Sequence, residues 1–283
     1  MNILKPLLIS TLTVIALQDM CIATAFQPTP QPSPPTPTVT ELPATFTREF
    51  IDTAGDYVNY WTLPFRWKAD EWNTFWMVCG ITGGLLVIDG PLFSYTEPRN
   101  VDTFNKISDP IKQIGNWKNP AIAVGGIYVA SFILEDQKLH RASRIATKSL
   151  IFQSLVNQGM KNIIYRTIEE NPFDFRLFPP EWMVPSDGGF PSGHASNMWA
   201  VLSSYAMAYE DDPVIPTVCY SLAGIGSLAL VTNDNHWVSD IFLGAALGYY
   251  TAAYIRDIDD KRASYVIVPI VSPQAIGLSI VSM

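Results

Sequence analysis

Five apolar segments, each twelve to eighteen residues long, dominate the chain: Phe75–Ile88, Ala121–Leu134, Met198–Tyr209, Val214–Val231 and Ile241–Ile255. Runs of this length exceed ordinary strands and match buried helices. An amphipathic segment, Ser143–Tyr165, lies among them, and Gly224, Gly226, Gly244 and Gly248 recur in the later ones. Small residues let helices approach closely. The pattern predicts an all-α fold, a helical bundle of about six core helices. Composition narrows the function classes. Apolar residues make up 48% of the 283 and charged residues 16%, well below the usual quarter, which excludes a disordered chain. Eighteen Lys and Arg against 26 Asp and Glu give a net charge of −8. No basic stripe marks a nucleic-acid partner.

The flanks differ from this body. Residues 1–25 read as a signal peptide: Lys5, an apolar run Leu7–Leu17, and a small-residue cleavage site at Ala23-Thr24-Ala25. A lipoprotein cysteine at Cys21 is the rival, but Gln18-Asp19-Met20 lacks the small apolar residues expected before it. Residues 26–46 carry seven prolines among Thr, Gln and Ser, the composition of an extended polyproline tether. The helical domain is expected over 47–262, starting near Thr47-Arg48-Glu49-Phe50. A tail over 263–283 is expected to form a short β segment, with strands Tyr265–Pro269 and Ile276–Ser282 around Ser272-Pro273-Gln274. Cys79 and Cys219 both lie in apolar stretches, so buried thiols are favoured over a disulfide.

A membrane span needs about 20 apolar residues, and among the five segments only Val214–Val231 comes close. The cluster Trp61, Phe65, Trp67, Trp72 and Trp76 suits a membrane interface and equally an aromatic core. No Lys or Arg occurs between Arg176 and Arg256, and Glu210-Asp211-Asp212-Pro213 is acidic, so it makes a poor cytoplasmic loop. An inner-membrane bundle and an exported bundle both remain open, with membrane association favoured and the periplasm or cell envelope as the expected location.

Chemistry concentrates around two of the three histidines. In Phe190-Pro191-Ser192-Gly193-His194-Ala195-Ser196, Pro and Ser start a helix. The unpaired N–H groups of that terminus suit an anion. Ser192 adds a hydroxyl, Gly193 allows close backbone approach, and His194 stands where a general acid would act. Read blandly, this is an ordinary cap with an exposed His. In Asn235-His236-Trp237-Val238-Ser239-Asp240, His236 and Asp240 are four apart and share a helix face. A carboxylate on one ring nitrogen fixes the tautomer and leaves the other to attack phosphorus. A surface His–Asp pair is the commoner explanation of such spacing taken alone. Lys161 and Arg166, in Lys161-Asn162-Ile163-Ile164-Tyr165-Arg166, are candidate phosphate-binding cations, or merely a basic helix end.

Taken together and in this order, these three blocks resemble the type 2 phosphatidic acid phosphatase superfamily, which includes bacterial acid phosphatases and vanadium haloperoxidases. The resemblance covers about residues 140–256. It implies His236 as nucleophile through a phosphohistidine, Asp240 orienting it, and His194 protonating the leaving group. It further implies Ser192, the Gly193 backbone and Lys161 on the phosphoryl oxygens, with neither metal nor other cofactor. The implied partner is a phosphorylated small molecule or lipid, a phosphomonoester or pyrophosphate. The departures are specific. The family's first motif places Arg-Pro where this chain has Ile168-Glu169, and its third opens with Ser-Arg where this chain has Ala229-Leu230. Losing one oxyanion donor can cost about 10²–10³ in rate. Arg166 is the nearest replacement, with Arg176, Arg144 and Lys148 behind it, and Asp234 makes the loop less welcoming to phosphate. The alternative is therefore a catalytically impaired relative that binds a lipid headgroup or serves a structural role in the membrane. Haloperoxidase chemistry is the weakest reading, since vanadate binding in that branch leans on the same arginines.

Overall fold

A computed structural model of the chain describes residues 42–96, 106, 110–166, 172–178, 189–232, 236–263, 265–272 and 275–282. The signal-peptide segment 1–25 and most of the Pro-rich stretch lie outside these residues, as do Ile168, Glu169 and Asp234.

All five apolar segments are helical to within one residue, and the amphipathic one is helical as far as Ile163. The α-helices are α1 Leu42–Trp61, α2 Ala69–Thr96, α3 Lys118–Leu134, α4 Gln137–Ile163, α5 Gly193–Ala208, α6 Val214–Thr232 and α7 Val238–Ala263. A 3₁₀ turn, Leu63–Arg66, joins α1 to α2. Helix α1 begins at Leu42, inside the stretch expected to be tether. Pro43 falls in its first turn, where a missing N–H is tolerated. At the other end of the chain, β3 Tyr265–Ser272 and β4 Ala275–Ser282 pair as an antiparallel hairpin.

Helix α5 is the centre of the bundle. Thirteen of its sixteen residues are buried, and it packs on α4, α6 and α7. Its neighbour α7 approaches closely because Gly244 and Gly248 face it. A Cβ at either glycine would overlap the carbonyl oxygen of Ser192 or Ser196. Alanine and serine line both helices at this contact, including Ala195, Ser196, Ala200, Ala245 and Ala252, all nearly or fully buried. Dense small-residue contact favours dispersion and short interhelical distance. A larger apolar cluster, with Met198, Trp199 and Phe242, fills the space toward α6 and α2.

Helix α4 starts where Glu135 turns the chain with φ 52° and the Asp136 carboxylate caps the Leu139 N–H at 2.9 Å. It runs the length of the bundle and ends at Ile163. The chain then leaves helical geometry as β1, Ile164–Arg166, which pairs antiparallel with β2, Phe175–Leu177, matching Arg166 with Phe175. This small ribbon, which sequence periodicity did not predict, carries Arg166 away from the helix that holds Lys161.

Among the described residues, two helical segments are long and apolar enough to cross a membrane, Ala69–Leu92 and Val214–Val231. The first gains its length from residues flanking Phe75–Ile88. Only 17% and 28% of their apolar windows are buried, whereas a soluble core helix would be mostly enclosed. Large apolar side chains stand exposed on α2 (Trp76, Val87), α3 (Ile122, Ile133) and α6 (Val214, Val218). These faces support membrane association. Cys219 is buried and Cys79 half-buried, and both are free thiols.

Candidate active site

The N-termini of α5 and α7 meet at one end of the bundle. Phe190–Pro191 is a cis peptide. Ser192 follows as the N-cap of α5, its backbone extended, its Oγ accepting from the Ala195 N–H at 3.3 Å. The Ser192 N–H donates to the Asp240 carbonyl at 2.9 Å. A main-chain bond therefore joins the two histidine-bearing blocks directly.

This junction brings the imidazoles together. The His194 and His236 rings have centroids 6.2 Å apart and planes inclined by 54°. His236 is buried, 2% exposed, while His194 and Gly193 are half-buried at the mouth. Lys161 reaches the same place from the last turn of α4. Its Nζ lies 3.4 Å from where a Gly193 Cβ would stand, with Asn157 Oδ1 beside it at 3.5 Å. A methyl group at position 193 would stand in van der Waals contact with the ammonium. Asn157 also donates to the Pro191 carbonyl at 3.4 Å and to Ser196 Oγ at 3.3 Å, which ties α4 to the start of α5. Of the sequence-predicted residues, His194, His236, Lys161, Gly193 and Ser192 converge on this hollow. Ser192 itself is fully buried.

Asp240 and Arg166 sit one layer deeper. Asp240 Oδ2 is 4.0 Å from His236 Nδ1, beyond hydrogen-bond length, and that nitrogen has no hydrogen-bond partner. The same oxygen accepts from the Trp237 N–H at 3.3 Å. Oδ1 takes Arg166 Nη1 at 2.5 Å. Arg166 is fully buried, and its other donors reach Ser239 Oγ at 2.7 Å, Asp89 Oδ2 at 2.7 Å and the Pro172 carbonyl at 2.8 Å. Its guanidinium also lies against the Phe175 and Trp237 rings, 5.0 and 5.1 Å from their centroids. Where the sequence reading expected a phosphate clamp, burial and two carboxylates place Arg166 in an ion pair beneath the histidines.

The weaker replacements fare no better. Arg144 pairs with Asp259 and Lys148 with Asp56, about 25 and about 20 Å along α4 from Lys161 at 1.5 Å per residue. Arg176 bonds Asp174 at the surface, 46% exposed. Leu230, where the motif arginine would stand, is 2% exposed and packs with Ala195 and Ile241. An apolar wall replaces that cation.

Burial sets the protonation states. Removal from water, then Lys161 and His194, lower the His236 pKa to about 3. Its ring is therefore neutral over the ordinary pH range, the form a nucleophile requires. Burial raises Asp240 to about 7, with Arg166 pulling it down and Asp89 pushing it up. Removal from water outweighs the pull of the guanidinium and sets the direction. Among the described residues, no three His, Cys, Asp or Glu side chains group as metal ligands.

Sequence reasoning missed Asp89 and Asn157. Asp89 had a signal, an acidic residue at the edge of an apolar run. Asn157 had only its place one turn before Lys161.

Fold and site define a helical bundle in which two histidines and a lysine meet beside a helix N-terminus. Residues 144–263 match the model of the PAP2 superfamily. Among solved structures, the chain is similar to the first transmembrane PAP2-type phosphatidylglycerolphosphate phosphatase from Bacillus subtilis. The identity is 14%, the match covers 64% of this chain and 87% of that one, and the TM-score is 0.45. No curated protein matches the sequence.

Proposed function

We propose that the protein is a metal-independent phosphatase acting on a phosphorylated lipid, or another phosphomonoester or pyrophosphate, at a membrane surface. The observation that carries this reading is the pair of imidazoles 6.2 Å apart at a helix N-terminus beside Lys161. In-line transfer needs a nucleophile about 3 Å from phosphorus and an acid about 3 Å from the leaving oxygen. Adjacent rings can flank one tetrahedral group in that way.

His236 attacks phosphorus and forms a phosphohistidine as the bond to the leaving oxygen breaks. His194 gives that oxygen its proton. The resulting neutral His194 then takes a proton from water, whose oxygen attacks the phosphohistidine and frees inorganic phosphate and His236. Lys161 and the α5 N–H groups hold the phosphoryl oxygens. Asp240 receives the His236 Nδ1 proton as a hydrogen bond when charge develops on the ring. Such contacts are often long before substrate binds and tighten in the reacting complex.

The test is turnover of short-chain phosphatidic acid, phosphatidylglycerol phosphate and an isoprenyl pyrophosphate by purified protein, beside His236→Ala. Release of phosphate by the wild type that falls at least about 10³-fold in the variant supports the reading; equal rates overturn it.

Leu230 favours a second reading, that of an impaired relative which binds a lipid headgroup without cleaving it. In that case neither protein releases phosphate, while the wild type still sediments with vesicles containing phosphatidic acid and Lys161→Ala does not.

A further inference from the structure

Asp89 is a carboxylate on α2, within one of the two helical segments long and apolar enough to cross a membrane. Its side chain is fully buried. A buried charge is costly unless paired and hydrogen-bonded, and each oxygen of Asp89 is occupied. Oδ1 accepts the Ser239 N–H at 3.1 Å. Oδ2 accepts Ser239 Oγ at 2.5 Å and Arg166 Nη2 at 2.7 Å. The Ser239 N–H belongs to the first turn of α7, where helical donors lack intrahelical acceptors and negative charge is favoured.

From Asp89 the contacts run inward without a gap. Arg166 is gripped on one side by Asp89 and on the other by Asp240. Ser239 Oγ donates to Asp89 and accepts from Arg166 Nη1. The orientation of the Asp240 carboxylate, and so of the oxygen facing His236, depends on a guanidinium that Asp89 anchors. Asp89 lies outside residues 144–263, the segment that matches the family.

We propose that Asp89 is a positioning residue for the His236–Asp240 pair, acting through Arg166 and Ser239, so that α2 completes a site whose reacting groups all come from elsewhere. The inference rests on the phosphatase reading for its kinetic consequences, but its geometry can be probed without turnover. Asp89→Asn keeps an acceptor for the Ser239 N–H and replaces Oδ2, which takes Arg166 and the Ser239 hydroxyl, with an amide nitrogen that accepts neither. It is expected to lower kcat about 10- to 100-fold, the range usual for groups that orient a site residue, with KM within about threefold. Arg166→Gln should do at least as much. Because Asp89 acts through Arg166, the double variant should be no slower than Arg166→Gln alone.

Ser239→Ala, which deletes one hydroxyl and leaves the carboxylates paired, is the milder probe should Asp89→Asn fail to fold. It should lower kcat severalfold with little change in melting temperature. Orthovanadate, a phosphate mimic able to bond an imidazole, supplies the second readout. Its affinity, followed by tryptophan fluorescence, should weaken in Asp89→Asn and in Arg166→Gln, and no further in the double variant. Losses that multiply overturn the proposal, as does wild-type kcat and vanadate affinity per folded molecule with only a lowered melting temperature. Failure of the phosphatase reading looks different: His236→Ala then matches the wild type in turnover, and the vanadate series alone decides the role of Asp89.

Discussion

At the scale of single residues, the consequential fact is that His236 is buried and neutral. Folding holds its pKa near 3, while the unfolded chain titrates near 6.5. The folded state therefore binds fewer protons than the unfolded one in acid, and stability is lost as pH falls below about 6.5. At about 1.4 kcal/mol per unit, the loss attributable to this ring is about 2 kcal/mol at pH 5. His236→Gln has no such proton to take up. Thermal unfolding of wild type and variant between pH 7 and pH 5 is expected to show the gap between them moving in favour of the variant by that amount. A constant gap would mean that the ring is protonated in the folded state.

The convergence of His194 and His236 was legible because each sits in a block whose spacing has a chemical reason: a cap, a glycine and a histidine, then a histidine and an aspartate one turn apart. The assignment of Arg166 was not. Basic residues near a motif look alike in sequence, and only burial against Asp89 and Asp240 separates an ion pair from an anion clamp. Leu230 was legible as a departure, yet its contact with Ala195 and Ile241 depends on how α6 ends beside α5.

At the scale of elements, the contact between α5 and α7 is made by what is missing at Gly244 and Gly248. Gly248→Ala puts a methyl group against the Ser196 carbonyl and the Ala200 nitrogen. Backbone cannot yield as a flexible side chain does, so the cost should reach about 1–3 kcal/mol. The expected result is a lowered melting temperature together with lowered turnover, since α5 carries His194 and α7 follows directly on His236. Ser192→Ala, by contrast, removes one cap and should cost about 1 kcal/mol. The glycine spacing forecast this closeness. The β1–β2 ribbon escaped notice because its strands are three residues each, too short for alternation to register. The early start of α1 was obscured by Pro43, which resembles tether until its place in a first turn is known.

At the scale of the whole molecule, charge and apolar surface are segregated. One end carries the histidine hollow. Far from it, the start of α4 and the end of α7 form a dense ionic layer, with Arg144 on Asp259 and Glu49, and Arg262 and Lys148 on Asp56. These pairs fasten α1 to the bundle, since Glu49 and Asp56 both lie on it. Between the two ends, α2, α3 and α6 expose large apolar side chains. A protein of this kind should remain in the membrane pellet after high-salt and alkaline carbonate washes and enter solution only with detergent. Release by salt alone would indicate electrostatic attachment instead. The helical body was foreseeable from segment length, whereas the second long apolar helix depended on flanking residues that local hydropathy undervalues.

The main-chain bond between Ser192 and Asp240 has a consequence for selectivity. Because backbone rather than flexible side chains ties the two histidine-bearing segments together, the jaws of the hollow have a fixed calibre. Such a gauge would measure the head of a ligand and ignore its tail. Among ligands that share one terminal group, discrimination would then fall to the greasy flanks outside the jaws.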